Sequence, residues 1–147
     1  MSTQIEFARK GIITKEMTVV AHAEGVTAEY VGEMIAAGKI VIPNNTNRKS
    51  KMVGIGKGLR TKVNASIGTS SDIVDIAAEC RKAAIAEEEG ADTLMELSVG
   101  GDLNLVRREV LKSTNLPVGT VPLYQAFCEA AKKYHDPNKL TEEMLFD

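Results

Sequence analysis

The sequence predicts an α/β fold, and three observations carry that prediction. From Thr61 onward, short apolar strands alternate with amphipathic helical stretches in three consecutive strand–helix units. That order gives parallel strands joined by right-handed crossovers. Polar, glycine-bearing turns follow the first two strands, as Gly68-Thr69-Ser70 and Gly100-Gly101-Asp102. The first forty residues read instead as short capped helices. The chain therefore divides into 1–60, a helical region with a short strand and a glycine-rich loop, and 61–147, a run of β/α units. Such units fit either a (β/α)8 barrel or a doubly wound sheet. A whole barrel needs about 250 residues, more than the 147 present.

In the first region, Ile5, Ala8 and Ile12 have helical spacing. Thr14 is placed as an N-cap, with Glu16 in the first turn at the positive end of the helix dipole. Met17, Val20 and Ala21 form the apolar face of that helix, and Gly25 stops it. Thr27 opens another helix, with Tyr30, Val31, Met34 and Ile35 inward and Gly38 at its end. A short strand, Lys39-Ile40-Val41-Ile42, runs into Pro43. The polar loop Asn44-Asn45-Thr46-Asn47-Arg48-Lys49-Ser50-Lys51 follows, then Gly54-Ile55-Gly56-Lys57-Gly58. The glycine run lacks the Gly-Lys-Ser/Thr ending and the following helix of a phosphate loop. A tight turn between strands is expected there.

In the second region, Lys62–Ile67 alternates as a strand, with Val63, Ala65 and Ile67 on one face and Lys62, Asn64 and Ser66 on the other. Residues 68–72 offer N-caps for a helix whose apolar face is Ile73, Ile76, Ala77, Cys80, Ala83 and Ala84. Thr93–Ser98 is the next strand, and Leu103, Val106, Val110 and Leu111 mark the next helix. Pro117–Val121 is the third strand, leading directly into a helix from Pro122 to about Tyr134. After a turn at Asp136-Pro137-Asn138, Thr141 caps a last helix with Glu142 and Glu143 in its first turn. Met144, Leu145 and Phe146 begin its apolar face, and the sequence stops. The abrupt helix and the low strand count together give the expectation of a truncated chain.

Composition removes several functions. The chain is 44% hydrophobic and 26% charged with a formal net charge of −2, which supplies no basic face for nucleic acid or an anionic membrane. Aromatics are 4% and Trp is absent, so base-stacking platforms are not expected. No apolar run reaches membrane-spanning length, and the N-terminus lacks the pattern of a secretory signal. Cys80 and Cys128 form no Cys-x-x-Cys or His/Cys cluster, so no self-sufficient zinc or iron–sulfur site is predicted. Both thiols are expected to be buried small hydrophobes in a reducing cytoplasm.

Ligands of parallel α/β folds meet the C-terminal ends of the strands. That rule selects three groups: Asn64, Ser66, Gly68, Thr69 and Ser70; Met95, Glu96, Ser98, Gly100 and Gly101; and Gly119, Thr120, Tyr124 and Gln125. Their amides, hydroxyls, phenol and backbone N–H groups suit a polar, phosphorylated small molecule. No histidine joins them, so no nucleophile–base pair is apparent. Blander readings stand beside these: Asn64 and Ser66 as turn caps, Met95 as core filler, Tyr124 as a buried ring. Glu96 reads as a general acid/base, as a metal-shell carboxylate, or as a strand-end partner for Lys or Arg. His22 and His135 are expected at the surface.

Several ordered runs carry a family resemblance. They are Ala8-Arg9-Lys10-Gly11-Ile12-Ile13-Thr14-Lys15-Glu16-Met17, Ile40-Val41-Ile42-Pro43-Asn44, Gly58-Leu59-Arg60-Thr61-Lys62-Val63-Asn64-Ala65 and Ile67-Gly68-Thr69-Ser70. Gly90-Ala91-Asp92-Thr93-Leu94-Met95 and Pro117-Val118-Gly119-Thr120-Val121-Pro122-Leu123-Tyr124-Gln125-Ala126 complete them. Together they resemble the ThiC family of radical S-adenosylmethionine enzymes, which rearrange aminoimidazole ribotide into the hydroxymethylpyrimidine phosphate of thiamine. The resemblance implies a partial (β/α)8 TIM-type barrel of about three units, a cytoplasmic enzyme, a homodimeric parent and substrate contacts at Met95 and Tyr124. It implies a 4Fe-4S cluster, S-adenosylmethionine and a divalent metal, zinc or iron, in the full-length parent. None of these is expected to be bound by the 147 residues alone, which are expected to be inactive.

The chain also departs from the family pattern. A family Asn is replaced by Ser66, leaving Asn64 two residues back on the same strand face. Where the family has Met-Asp-Leu-Ser-Thr-Gly, this chain has Met95-Glu96-Leu97-Ser98-Val99-Gly100. Substitutions gathered at one mouth raise the alternative of the paralogues that make 5-hydroxybenzimidazole, a cobamide lower-ligand precursor, from the same ribotide. A further alternative is a short non-catalytic binding or interaction domain.

Overall fold

The computed structural model describes residues 2–45 and 47–146; Met1, Thr46 of the polar loop and the terminal Asp147 lie outside the described residues. The chain forms two compact units, Met1–Lys62 and Val63–Asp147.

In the first unit, α1 (Gln4–Arg9) opens with a capping box between Thr3 and Glu6. Helix α2 (Lys15–Glu24) is capped by Thr14, whose hydroxyl oxygen accepts from the Met17 N–H at 3.3 Å and whose O–H reaches Gln4 Oε1 at 2.7 Å. The Glu16 carboxyl sits below the usual carboxylate range, chiefly because its own backbone N–H at the helix start stabilises the anion, with Gln4 and Thr14 assisting. Gly25 ends α2 in the left-handed region at φ 67°. Thr27 caps α3 (Ala28–Ala36). Met17, Val20, Ala21, Val31 and Ile35 bury against Ile40 and Ile42. Thr14→Ala loses the cap and the Gln4 bond together, so a loss of about 1 kcal/mol is expected in urea denaturation.

Two expectations for this unit need correction. The spacing that included Ile12 overran the helix: α1 ends at Arg9, and Ile12 is exposed beyond it. The glycine run, expected as a tight turn between strands, holds a strand as well as a turn. Strand β1 (Ile40–Val41) pairs antiparallel with β2 (Ile55–Gly56), and the turn falls just after, at Lys57 and Gly58. Gly56 lies so near Lys39 that a Cβ would stand 2.1 Å from its carbonyl oxygen, so only glycine fits the pairing. At the unit's end, Lys62 Nζ lies 2.9 Å from Glu24 Oε1, with both side chains under a tenth exposed.

The second unit runs β3 (Asn64–Ile67), α4 (Ile76–Glu88), β4 (Thr93–Glu96), α5 (Leu103–Ser113), β5 (Val118–Thr120) and α6 (Pro122–Tyr134). A 3₁₀ turn at Pro137–Lys139 and the short α7 (Glu143–Phe146) complete it. The three strands are parallel in the order β3-β4-β5. Because the order advances in one direction, right-handed crossovers put α4 and α5 on the same face of the sheet, where they pack on each other. The core lies there: Ile67 and Leu94 from the strands meet Ala83, Val106, Val110 and Leu116. The opposite face carries Asn64 and Ser66, both exposed, and Thr93, Met95 and Gly119, half-buried. None of the described helices of this unit buries it.

Helix α4 departs from its expected face and cap. Its N-cap is Asp75, which accepts from the Ala78 N–H at 2.8 Å, rather than a residue of 68–72. Ile73 is 72% exposed in the preceding loop, and Ala77 and Ala84 are exposed. The buried face instead passes through Glu79 and Ala83. A carboxylate holds the inner position because Glu79 Oε2 accepts from the Gly68 N–H at 2.8 Å and Oε1 meets Lys82 at 2.5 Å. Cys80 and Cys128 are half-buried rather than buried, and the Cys128 thiol approaches the Val99 carbonyl at 3.3 Å. Among the described residues, no helix is long and apolar enough to cross a membrane.

Candidate functional site

Parallel register builds the site from the sheet upward. Ser66 pairs with Met95, and Met95 with Gly119, so these three form one row near the C-terminal strand ends. Asn64 and Thr93 form the row beneath. All five share the open face, since side chains alternate along each strand. The Thr93 hydroxyl donates to Asn64 Oδ1 at 2.8 Å, which directs the amide NH₂ of Asn64 to act as the donor on that face. The thioether of Met95 lies across Gly119.

Above the rows, the β3–α4 and β4–α5 loops are fastened to each other. The Thr69 hydroxyl donates to the Gly100 carbonyl at 2.7 Å and accepts from the Gly100 N–H at 3.3 Å. The Thr69 N–H donates to Ser98 Oγ at 3.0 Å, and the Val99 N–H to the Thr69 carbonyl at 3.0 Å. Thr69, Ser98 and Gly100 are buried. These candidate polar groups therefore hold the loops together and do not face the open sheet.

Glu96 is 3% exposed and lies on the helix-covered face, in register with Ile67 and Thr120. Its Oε1 accepts from the Ser98 N–H at 2.8 Å, and Oε2 is 3.8 Å from Arg107 Nε. Of its three sequence readings, the strand-end pairing with an arginine matches this geometry. The Asp-to-Glu departure thus alters the packed side of the sheet and not its open side. Arg107 in turn donates to Gln125 Oε1 at 3.0 Å, and Gln125 donates to Glu129 at 2.9 Å.

The structure brings Ser66 and Met95 together and keeps Asn64 one row below, hydrogen-bonded to Thr93. Tyr124 stands apart in the first turn of α6, 43% exposed, so it is not a buried ring. Asn64 and Ser66 are strand residues rather than turn caps. His22 and His135 are exposed, His135 as the left-handed cap of α6 at φ 55°. Sequence reasoning missed Thr93 and Glu79. Thr93 was legible, since parallel register sets it opposite Asn64. Glu79 was not, because Glu79 and Lys82 look like an ordinary solvated helix pair.

Among the described residues, no three His, Cys, Asp or Glu side chains gather to hold a metal ion. Two half-buried cysteines on separate helices cannot supply the three thiolates of a radical-generating cluster. The described residues therefore do not fit an iron–sulfur cluster or a divalent metal.

The second unit is thus an α/β segment, a parallel sheet wound in one direction with Asn64, Ser66, Thr93, Met95 and Gly119 on its open face. The chain belongs to the radical SAM ThiC family, whose model matches residues 3–147. It is 71% identical over 147 residues to the 5-hydroxybenzimidazole synthase of Geobacter sulfurreducens and 69% identical to that of Geobacter metallireducens. It is 57% identical over 145 residues to phosphomethylpyrimidine synthase 2 of Methanosarcina acetivorans. These matches take in 99–100% of this chain and 34% of each relative. The chain thus spans about a third of the length of the relatives it matches.

Proposed function

We propose that this segment forms the first β/α units of a (β/α)8 barrel enzyme that converts aminoimidazole ribotide into 5-hydroxybenzimidazole. The observation that carries the product is the higher identity to the two 5-hydroxybenzimidazole synthases than to the phosphomethylpyrimidine synthase. The winding supports the barrel: a doubly wound sheet reverses its strand order and so puts helices on both faces, whereas here α4 and α5 share one. In that setting the open row faces the barrel axis near the C-terminal strand ends, the end of the barrel at which substrates of such enzymes lie. The Asn64 amide and the Ser66 hydroxyl would hydrogen-bond the ribotide, Met95 would pack its thioether on the flat ring, and Tyr124 would present its phenol.

The family's cluster, S-adenosylmethionine and metal would be held by residues outside this segment, which would be inactive alone. A cytoplasmic homodimer is the assembly we infer for the parent. Ser66, shorter than the Asn of the family pattern and limited to one hydroxyl, would leave room for a different product at the same strand end. The second reading is the pyrimidine phosphate of thiamine, which the family resemblance put first and which the 57% relative favours.

Anaerobic product analysis separates the two. The full-length enzyme, with reconstituted cluster, S-adenosylmethionine, reductant and aminoimidazole ribotide, is expected to release 5-hydroxybenzimidazole. Hydroxymethylpyrimidine phosphate would establish the second reading, and neither product would sink both.

A further inference from the structure

We propose that Gly119 is a positioning residue for ligand specificity, holding space on the sheet so that the Met95 side chain lies flat and leaves the room beside Ser66 free. The inference deepens the proposed function and rests on the ribotide occupying this face.

The case begins with what Gly119 is not. It is absent from the glycines with positive φ, so its backbone conformation suits any residue and does not explain the glycine. Its surroundings do. A Cβ on Gly119 would stand 2.7 Å from Met95 Sδ and 3.5 Å from Met95 Cε, with no other atom within 4 Å. The missing Cβ is thus filled by one neighbour, the thioether of a residue in register beside it.

That contact decides where Met95 points. Ser66 and Gly119 flank Met95 in the same row, on the same face. With a glycine on the β5 side, the long Met side chain lies down over β5. Ser66 on the β3 side then stays exposed, with the Asn64 amide one row below. A methyl group at 119 closes that resting place. The thioether end is flexible and yields cheaply, so the fold survives. The displaced side chain then stands up from the sheet into the space beside Ser66. A substitution at 119, remote from the polar donors, would therefore act on ligand binding through Met95.

The test is a double-mutant cycle on the full-length protein, reading the Kd of aminoimidazole ribotide by calorimetry before any turnover. Gly119→Ala is expected to weaken binding on the order of tenfold, the scale of one misplaced methylene in a pocket. Met95→Ala alone would cost affinity by removing its packing. Adding Gly119→Ala to Met95→Ala is expected to cost less than twofold more, because no thioether is left to displace. Isotope-labelled Met95 methyl NMR gives an independent readout: the contact between its methyl and the residue 119 Hα disappears in Gly119→Ala. Equal losses with and without Met95, or no loss in Gly119→Ala, would overturn this role while leaving the functional reading standing. An unsubstituted protein that fails to bind the ribotide would overturn the functional reading, and this role with it.

Discussion

Gly100→Ala is expected to destabilise the strand–helix unit by about 3 kcal/mol or more, the upper range for overpacking combined with broken buried hydrogen bonds. A Cβ at that position would stand 1.9 Å from the Ser70 carbonyl oxygen and 2.7 Å from its carbonyl carbon. Both are backbone atoms, so neither can swing aside as a side chain could. The β3–α4 and β4–α5 loops would have to part, which breaks both Thr69–Gly100 bonds and strains the Thr69–Ser98 bond. Thr69 and Ser98 are under a tenth exposed, so their freed groups would be left buried and unsatisfied. Gly68 repeats the arrangement from the other loop. Its φ is 150°, and a Cβ would stand 2.6 Å from the Ser98 nitrogen. Urea denaturation should show the loss for Gly100→Ala, while Gly90→Ala, whose Cβ would meet nothing within 4 Å, should cost only the strain of its positive φ. Gly100 itself has no positive φ, so a cost no larger than that of Gly90→Ala would mean that the loops part easily and that the loop contact does not explain the glycine.

That comparison shows what was and was not legible in the sequence. Apolar periodicity placed α2, α3, α5 and α6 well, while it overran α1 and misread the buried face of α4. Helix α6 begins at Pro122 and ends at Tyr134 as expected, and Thr14, Thr27 and Asp102 cap or turn where their residue types suggest. Strand alternation gave the two faces of β3 over Asn64–Ile67, and register then placed Ser66 beside Met95. Lys62 and Val63, however, lie before the strand, with Val63 59% exposed and the Lys62 side chain drawn in by Glu24. Local patterns fail where a tertiary partner reverses a side chain's normal preference. Glu79 turns inward only because the Gly68 N–H awaits it. Glu96 faces the helices because alternation puts it opposite Met95, and Arg107 waits there. The glycines were visible as turn formers, but their real constraint, one loop backbone against another, comes from residues some thirty positions away. The same holds for Gly119, whose neighbour Met95 is reached through the sheet and not along the chain.

The other large effect concerns a charge pair. Glu24→Ala is expected to cost about 3 kcal/mol at neutral pH, the lower end for breaking a buried ion pair by removing one partner. The Glu24 carboxylate accepts from the Arg60 N–H at 2.8 Å and pairs with Lys62, and both charged side chains are nearly excluded from water. Burial opposes the Glu24 charge most strongly of any influence. The hydrogen bonds from Lys62 and Arg60 and their positive charges together outweigh it, leaving the carboxyl below its usual range. A folded pKa below the unfolded one stabilises the fold above the unfolded value, about 4.3 for Glu. That stabilisation is lost as pH falls through the lower folded value. The gap between unsubstituted protein and Glu24→Ala should therefore be widest near pH 7 and narrow steadily below about pH 4. Glu24→Leu combined with Lys62→Met should recover most of the loss, since it removes the stranded ammonium along with its partner. If the double substitution is as unstable as Glu24→Ala, the Arg60 N–H bond, and not the ion pair, is what Glu24 contributes. Denaturation midpoints for the three proteins at pH 7 distinguish these outcomes. The same midpoints at pH 3.5 and 5 check that the difference follows the Glu24 charge, to which both Lys62 and the Arg60 N–H donate hydrogen bonds.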